Sequence, residues 1–162
     1  MLGQEMAGYA TGEVFFTSQA LGLRHSHLDS GGYAYDQKEK SKDMAKAIDF
    51  LLKDEQGRVL LTSMVACLFA RNVYTDELLA TCLKTVGYGT LAENLGPVAR
   101  HIQQLRWKTR FACGFKPEDI IMPERFYEIE TLKGPIDRAF FDGLIQEYAR
   151  AIRELAGTGS AG

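Results

Sequence analysis

The stretch KDMAKAIDFLLKDEQGRVLLTSMVACLFA, residues 42–70, decides the fold class. Over 42–54 the apolar residues Met44, Ala47, Ile48, Leu51 and Leu52 recur at steps of three and four with charges opposite. That is the period of a helix with one buried face. The EQG at 55–57 reads as a stop or a break, and the run RVLLTSMVACLFA at 58–70 is apolar almost all round, the pattern of a segment buried on most sides.

The same helical period continues on both sides of this stretch. Thr75 is the expected N-cap of a helix whose first turn carries Asp76 and Glu77, favourable beside the positive end of the dipole. Its stripe is Leu78, Leu79, Cys82, Leu83 and Val86, and GYG at 87–89 ends it. TLAE at 90–93 has the form of a capping box, followed by the stripe Leu91, Leu95, Val98, Ile102 and Leu105. Pro97 either kinks that helix or marks the start of a second one. Residues 114–136, with Pro117, Pro123, Gly134 and Pro135, read as an extended loop, with a short strand near FYEIE at 126–130. A last helix starts near Asp137 and buries Phe140, Phe141, Leu144, Ile145, Tyr148, Ile152 and Leu155. The expected fold is all-α, an irregular multi-helix bundle with one long Pro/Gly-containing loop. One domain spans residues 1–155, with a flexible tail at 156–162.

Composition narrows the function. The 162 residues suffice for one domain with a real core. A net charge of −2 offers no nucleic-acid surface, and the basic run RHIQQLRWKTR at 100–110 reads as a solvated helix face with Trp107 packed inward. No apolar run approaches the roughly 20 residues that a membrane helix needs, and the start lacks a basic segment followed by an apolar block. The reading is cytoplasmic. Three widely spaced cysteines, Cys67, Cys82 and Cys113, make neither a disulfide framework nor a self-contained zinc site, and by spacing each reads as a small core hydrophobe. G-x-S-x-G, P-loop, H-E-x-x-H and dinucleotide fingerprints are absent. RHSHLDSGGYAYD at 24–36 gathers two of the three histidines, His25 and His27; two imidazoles without a third ligand make a weak metal site.

Four pieces, taken in order, resemble the C-terminal region of the tungsten-pterin aldehyde:ferredoxin oxidoreductase family. ALGLRHSHLDSGGYAYD at 20–36 is similar to the family's R-G-A-C-H loop with its A-Y-E-x-D continuation. VLLTSMVACLFAR at 59–71 resembles the D-S-L-x-x-C-x-F segment, RFACGFKPEDIIMPERFYE at 110–128 the R-E-G-F and D-x-L-P-x-R-F stretch, and FFDGLIQEYARAI at 140–152 the terminal E-Y-Y helix.

The resemblance implies roles that spacing alone does not. His27 matches the loop histidine that serves as proton donor or hydrogen-bond partner beside the metal, so it is the candidate catalytic residue. Cys67 falls where the family has the fourth ligand of a [4Fe–4S] cluster, so it is the candidate metal ligand. Thr62 and Ala66 fall in the pterin-binding form D-x-x-G-L-C, read here as Thr62, Ser63, Met64, Val65, Ala66 and Cys67; the pterin-contacting carboxylate is replaced by a threonine. Arg24 and Ser26 replace the glycine and cysteine of the histidine loop. The implied cofactors are a [4Fe–4S] cluster and a tungsten-bis-pterin. The implied reaction takes an aldehyde to a carboxylic acid, with electrons leaving to ferredoxin.

The C-x-x-C-x-x-x-C triplet and the pterin-cradling domain lie outside these residues. The chain is therefore expected to act with a pterin-binding and cluster-binding domain or subunit, to be inactive alone, and to form a homodimer or other self-associated species through the uncovered face. The alternative is a degenerate standalone helical interaction module without redox cofactors.

Overall fold

A computed structural model of the chain describes residues 10–23 and 30–158. The fold is all-α: α1 (Glu13–Leu21), α2 (Gly32–Lys38), α3 (Met44–Ser63), α4 (Asp76–Thr85), α5 (Gly89–Glu93), α6 (Leu95–Ala112) and α7 (Arg138–Ala156). The segment between α6 and α7 carries two short 3-10 turns and a hairpin, β1 (Glu130–Thr131) paired antiparallel with β2 (Gly134–Pro135). Among the described residues no helix is long and apolar enough to cross a membrane.

The helix α3 is the axis of the bundle, packing against α6 and α7. It runs unbroken through EQG, which corrects the expected stop. Glu55 turns inward, Gln56 Nε2 donates to Gly96 O at 3.0 Å, and Arg58 pairs one turn back with Asp54. Glu55 and Gln56 thus have partners on a continuous helix, capped at its start by Asp43, whose side chain accepts from Lys46 N.

The main core gathers Leu21, Leu51, Trp107, Leu144, Tyr148 and Ile152. Phe15, Phe16, Ile136 and Phe141 form a second layer, closed by Phe126, whose ring meets Phe16 edge-on at 5.0 Å. A separate cluster of Leu60, Leu61, Leu79, Leu95 and Ala99 joins the end of α3 to α4 and α6.

On α6 the buried positions are Leu95, Ala99, Gln103 and Trp107. The stripe read from sequence is rotated away from them: Val98 and Ile102 are half-buried, and Leu105 is exposed. Trp107 packs inward as expected, at 0% exposure. Pro97 sits in the first turn of α6, where its missing N–H is not needed. Thr90 lies inside α5 rather than ahead of it, so the capping box does not form and the helix starts without a side-chain cap.

The paired glycines at 31 and 32 permit close approach. A Cβ on Gly32 would stand 2.9 Å from the Phe15 Cα, and one on Gly31 would stand 2.5 Å from the Asp54 carboxylate. The hairpin is fastened to α2 by Lys133, whose Nζ lies 2.7 Å from Asp36 Oδ1, while Asp36 Oδ2 accepts from Phe15 N at 2.8 Å.

The packing ranks two leucines. Leu144→Ala removes a fully buried side chain from α7 and is expected to lower stability by about 2–5 kcal/mol. Leu105→Ala is expected to change it by less than about 0.5 kcal/mol. Urea unfolding of both variants checks that Leu144 of α7 lies inside and that Leu105 of α6 faces out.

Candidate functional site

The run expected to be buried on most sides is buried only over residues 58–61. The helix α3 ends at Ser63, and Val65 follows with φ of 57°, a left-handed conformation that a β-branched residue rarely adopts. Two bonds close this end, from Ala66 N to Leu61 O at 2.9 Å and from Val65 N to Thr62 O at 3.2 Å. This is the hydrogen-bonding pattern of the turn that glycine ordinarily completes.

Beyond the turn, exposure alternates residue by residue. Met64, Ala66 and Leu68 pack against the cluster of Leu60, Leu79 and Leu95. Val65, Cys67 and Phe69 are turned out, Val65 at 93% and Phe69 at 77% exposure. The exposed thiol of Cys67 therefore sits between two exposed apolar side chains, at the start of the 3-10 turn Leu68–Ala70. Cys82 and Cys113 are exposed as well, which corrects the core reading of all three. On α4 only Leu79 is buried, because the helix leans on the second cluster along one narrow edge and leaves Cys82 and Val86 outside.

Thr62 is half-buried in the last turn of α3. Its Oγ1 donates to Val59 O at 3.0 Å and accepts from Arg106 Nη1 at 3.5 Å. The structure thus brings Thr62, Ala66 and Cys67 to one end of α3. His27 lies outside the described residues, as does His25. Among the described residues no group of three histidine, cysteine or carboxylate side chains could hold a metal ion.

What sequence reasoning missed is a buried polar centre on α3. Glu55 Oε2 accepts from Trp107 Nε1 and Gln103 Nε2, each at 2.8 Å, and Oε1 accepts from Leu23 N at 3.2 Å. Arg110 stands near the carboxylate, donates to Gly22 O, and lies over the Trp107 and Phe115 rings at 5.4 and 3.9 Å. Burial pushes the Glu55 carboxyl up from its ordinary range; the Gln103, Trp107 and Leu23 donors and the Arg110 charge pull part of the way back. Burial, and then Glu55 itself, push the Tyr148 phenol well up. The signal that could have found this centre is spacing: Glu55 follows Leu51 by four, and Gln103 stands four from both Ala99 and Trp107.

Adjacent carboxylates of α3 thus grip both flanks of residues 24–29, Glu55 through Leu23 N and Asp54 through Gly31 N at 2.6 Å. That is a positioning role for the two acids, reached through backbone amides. No family model, curated protein or solved structure matches the chain.

Glu55→Gln leaves one acceptor oxygen where two served three donors, and is expected to cost about 1–3 kcal/mol. The sign of the pH dependence follows from the raised carboxyl. Its favourable contribution is fully present below the ordinary carboxylate range and is lost as pH rises through the folded-state value. The variant carries no such loss, so its deficit should narrow as pH rises above the ordinary carboxylate range. Paired denaturation curves across that range check this.

Proposed function

We propose that this chain is the C-terminal helical component of an aldehyde:ferredoxin oxidoreductase-like enzyme, docking through the face around Cys67 onto a domain or subunit that carries the pterin and the other cluster ligands. One observation carries the reading: Cys67 is exposed and flanked along the chain by the exposed apolar residues Val65 and Phe69, just after the left-handed turn at Val65. Exposed apolar surface of this kind marks interaction sites, and strained backbone clusters where function requires it.

A lone thiolate fits one corner of a [4Fe–4S] cluster and no more, so the remaining ligands come from the partner. When bound, the cluster would carry electrons away to ferredoxin, while the tungsten-bis-pterin would oxidise the aldehyde. Cys67 supplies one thiolate. Thr62 and Ala66 keep the pterin-side positions, with the Thr62 hydroxyl, already bonded to Val59 O, in place of a carboxylate. His27 keeps the role of proton donor. The helical interaction module without cofactors is the second reading, supported by the same exposed apolar side chains, which need no metal to bind a partner. With the partner absent, the uncovered face is expected to drive homodimer formation.

The test is elemental analysis and visible spectra on the tagged chain isolated without oxygen from its native cells. Iron and tungsten are expected to accompany the wild-type chain. Phe69→Asp should lose both together with the partner, whereas Cys67→Ser should keep the partner and lose iron. A partner recovered with neither metal establishes the interaction module instead. Val65→Gly relieves the backbone, and thermal melts are expected to show a gain of about 1 kcal/mol.

A further inference from the structure

A cleft of about 270 Å³ opens between the second half of α3 and the connection to α4, with Arg58, Arg71, Asn72 and Tyr74 on its walls and Leu60 and Leu61 among its floor. We propose that this cleft binds a small oxyanion, a carboxylate or phosphate of a few heavy atoms. Nothing in the function proposed above uses it.

Gly57 lines the same cleft from the middle of α3. A glycine in a helix interior costs about 0.5–1 kcal/mol relative to alanine. Packing does not explain it, since among the described residues no atom beyond its chain neighbours and the helix's own backbone comes within 4 Å of where its Cβ would stand. Its absent side chain instead bares helix backbone to the cleft, which is what close approach by an outside group requires.

One guanidinium beside this bare patch, that of Arg71, is open to an anion. Arg58, with its side chain only 8% exposed, is locked by Asp54, whose oxygens lie 2.5 Å from Nε and 3.1 Å from Nη2, and Asp54 also accepts from Gly31 N. That pair forms a rigid, nearly neutral base. Arg71 donates Nη1 to Leu68 O at 2.9 Å and forms no ion pair among the described residues, so its planar charge is left for a ligand. Guanidinium forks match carboxylate and phosphate oxygens two at a time. Lys53 at the rim is tied to Asp49 at 2.8 Å and, like the Arg58–Asp54 pair, adds little net charge, while Asp76 on α4 is the opposing charge. The leucine floor excludes water from one side and so strengthens the attraction. The volume lies just below the roughly 300–1,000 Å³ of pockets for larger molecules, which limits the ligand to a few heavy atoms.

The experiment titrates the full chain with inorganic phosphate and, separately, with succinate in low-salt buffer, following backbone amide shifts. A saturable shift centred on residues 57, 58 and 71–74 is expected with at least one probe. Phosphate alone identifies a phosphoryl ligand, and succinate alone a carboxylate. Arg71→Gln should weaken binding at least tenfold. Gly57→Ala should raise the melting temperature yet weaken binding severalfold, a combination that a merely structural glycine does not produce, and the variant stays folded. Absence of shifts at tens of millimolar of both probes, or unchanged binding by both variants, overturns the proposal.

Discussion

The carboxylate of Glu55 is the constraint around which the rest of the structure is arranged. An ionisable group almost wholly removed from water is tolerated only where its oxygens are met by well-placed donors. Here those donors come from far apart in the chain: Leu23 after α1, and Gln103 and Trp107 on successive turns of α6. Meeting them fixes how α6 rotates about its own axis and how it lies against α3. It also fixes where the chain leaves α1, since Arg110 takes the Gly22 carbonyl from the next turn of α6. The polar centre thus settles the register of an otherwise interchangeable set of apolar contacts.

The same centre explains what could and could not be read from sequence. The helix α7 was legible almost whole: Asp137 caps Phe140 N as its position implies, and the apolar residues from Phe140 to Ile152 face the core. Thr75 likewise caps α4 by accepting from Leu78 N. The face of α6 was misread because Gln103, polar in type, occupies a buried position through its bond to Glu55. The helix α1 was not legible at all. Every one of its residues is buried, so no stripe exists, and Gly12 provides no side-chain cap. The apparent break at EQG misled because a polar residue beside a glycine looks like punctuation until the donors that Glu55 meets are known.

Residues 64–70 show a different limit. An apolar run reads alike whether it fills a core or waits for a partner. Only the backbone reversal at Val65, which turns alternate side chains outward, separates the two. Resemblance alone singled out Thr62, Ala66 and Cys67; the structure adds that they share one end of α3 and that Cys67 is exposed. Neither route alone places a thiol between two apolar side chains on a surface. The role proposed for His27 rests on resemblance alone.

The bonds to Glu55 also bear on how the chain assembles. They close separations of 32 residues to Leu23, 48 to Gln103 and 52 to Trp107, and Arg110 spans 88 residues to Gly22. A partly assembled bundle that buried the carboxylate with only one of these segments in place would leave its charge poorly matched. Intermediates are therefore disfavoured relative to both the open chain and the finished fold, and the transition is pushed toward all-or-none behaviour. The single tryptophan of the chain donates to that carboxylate. Its fluorescence is thus a one-site record of the moment at which α3 and α6 come together.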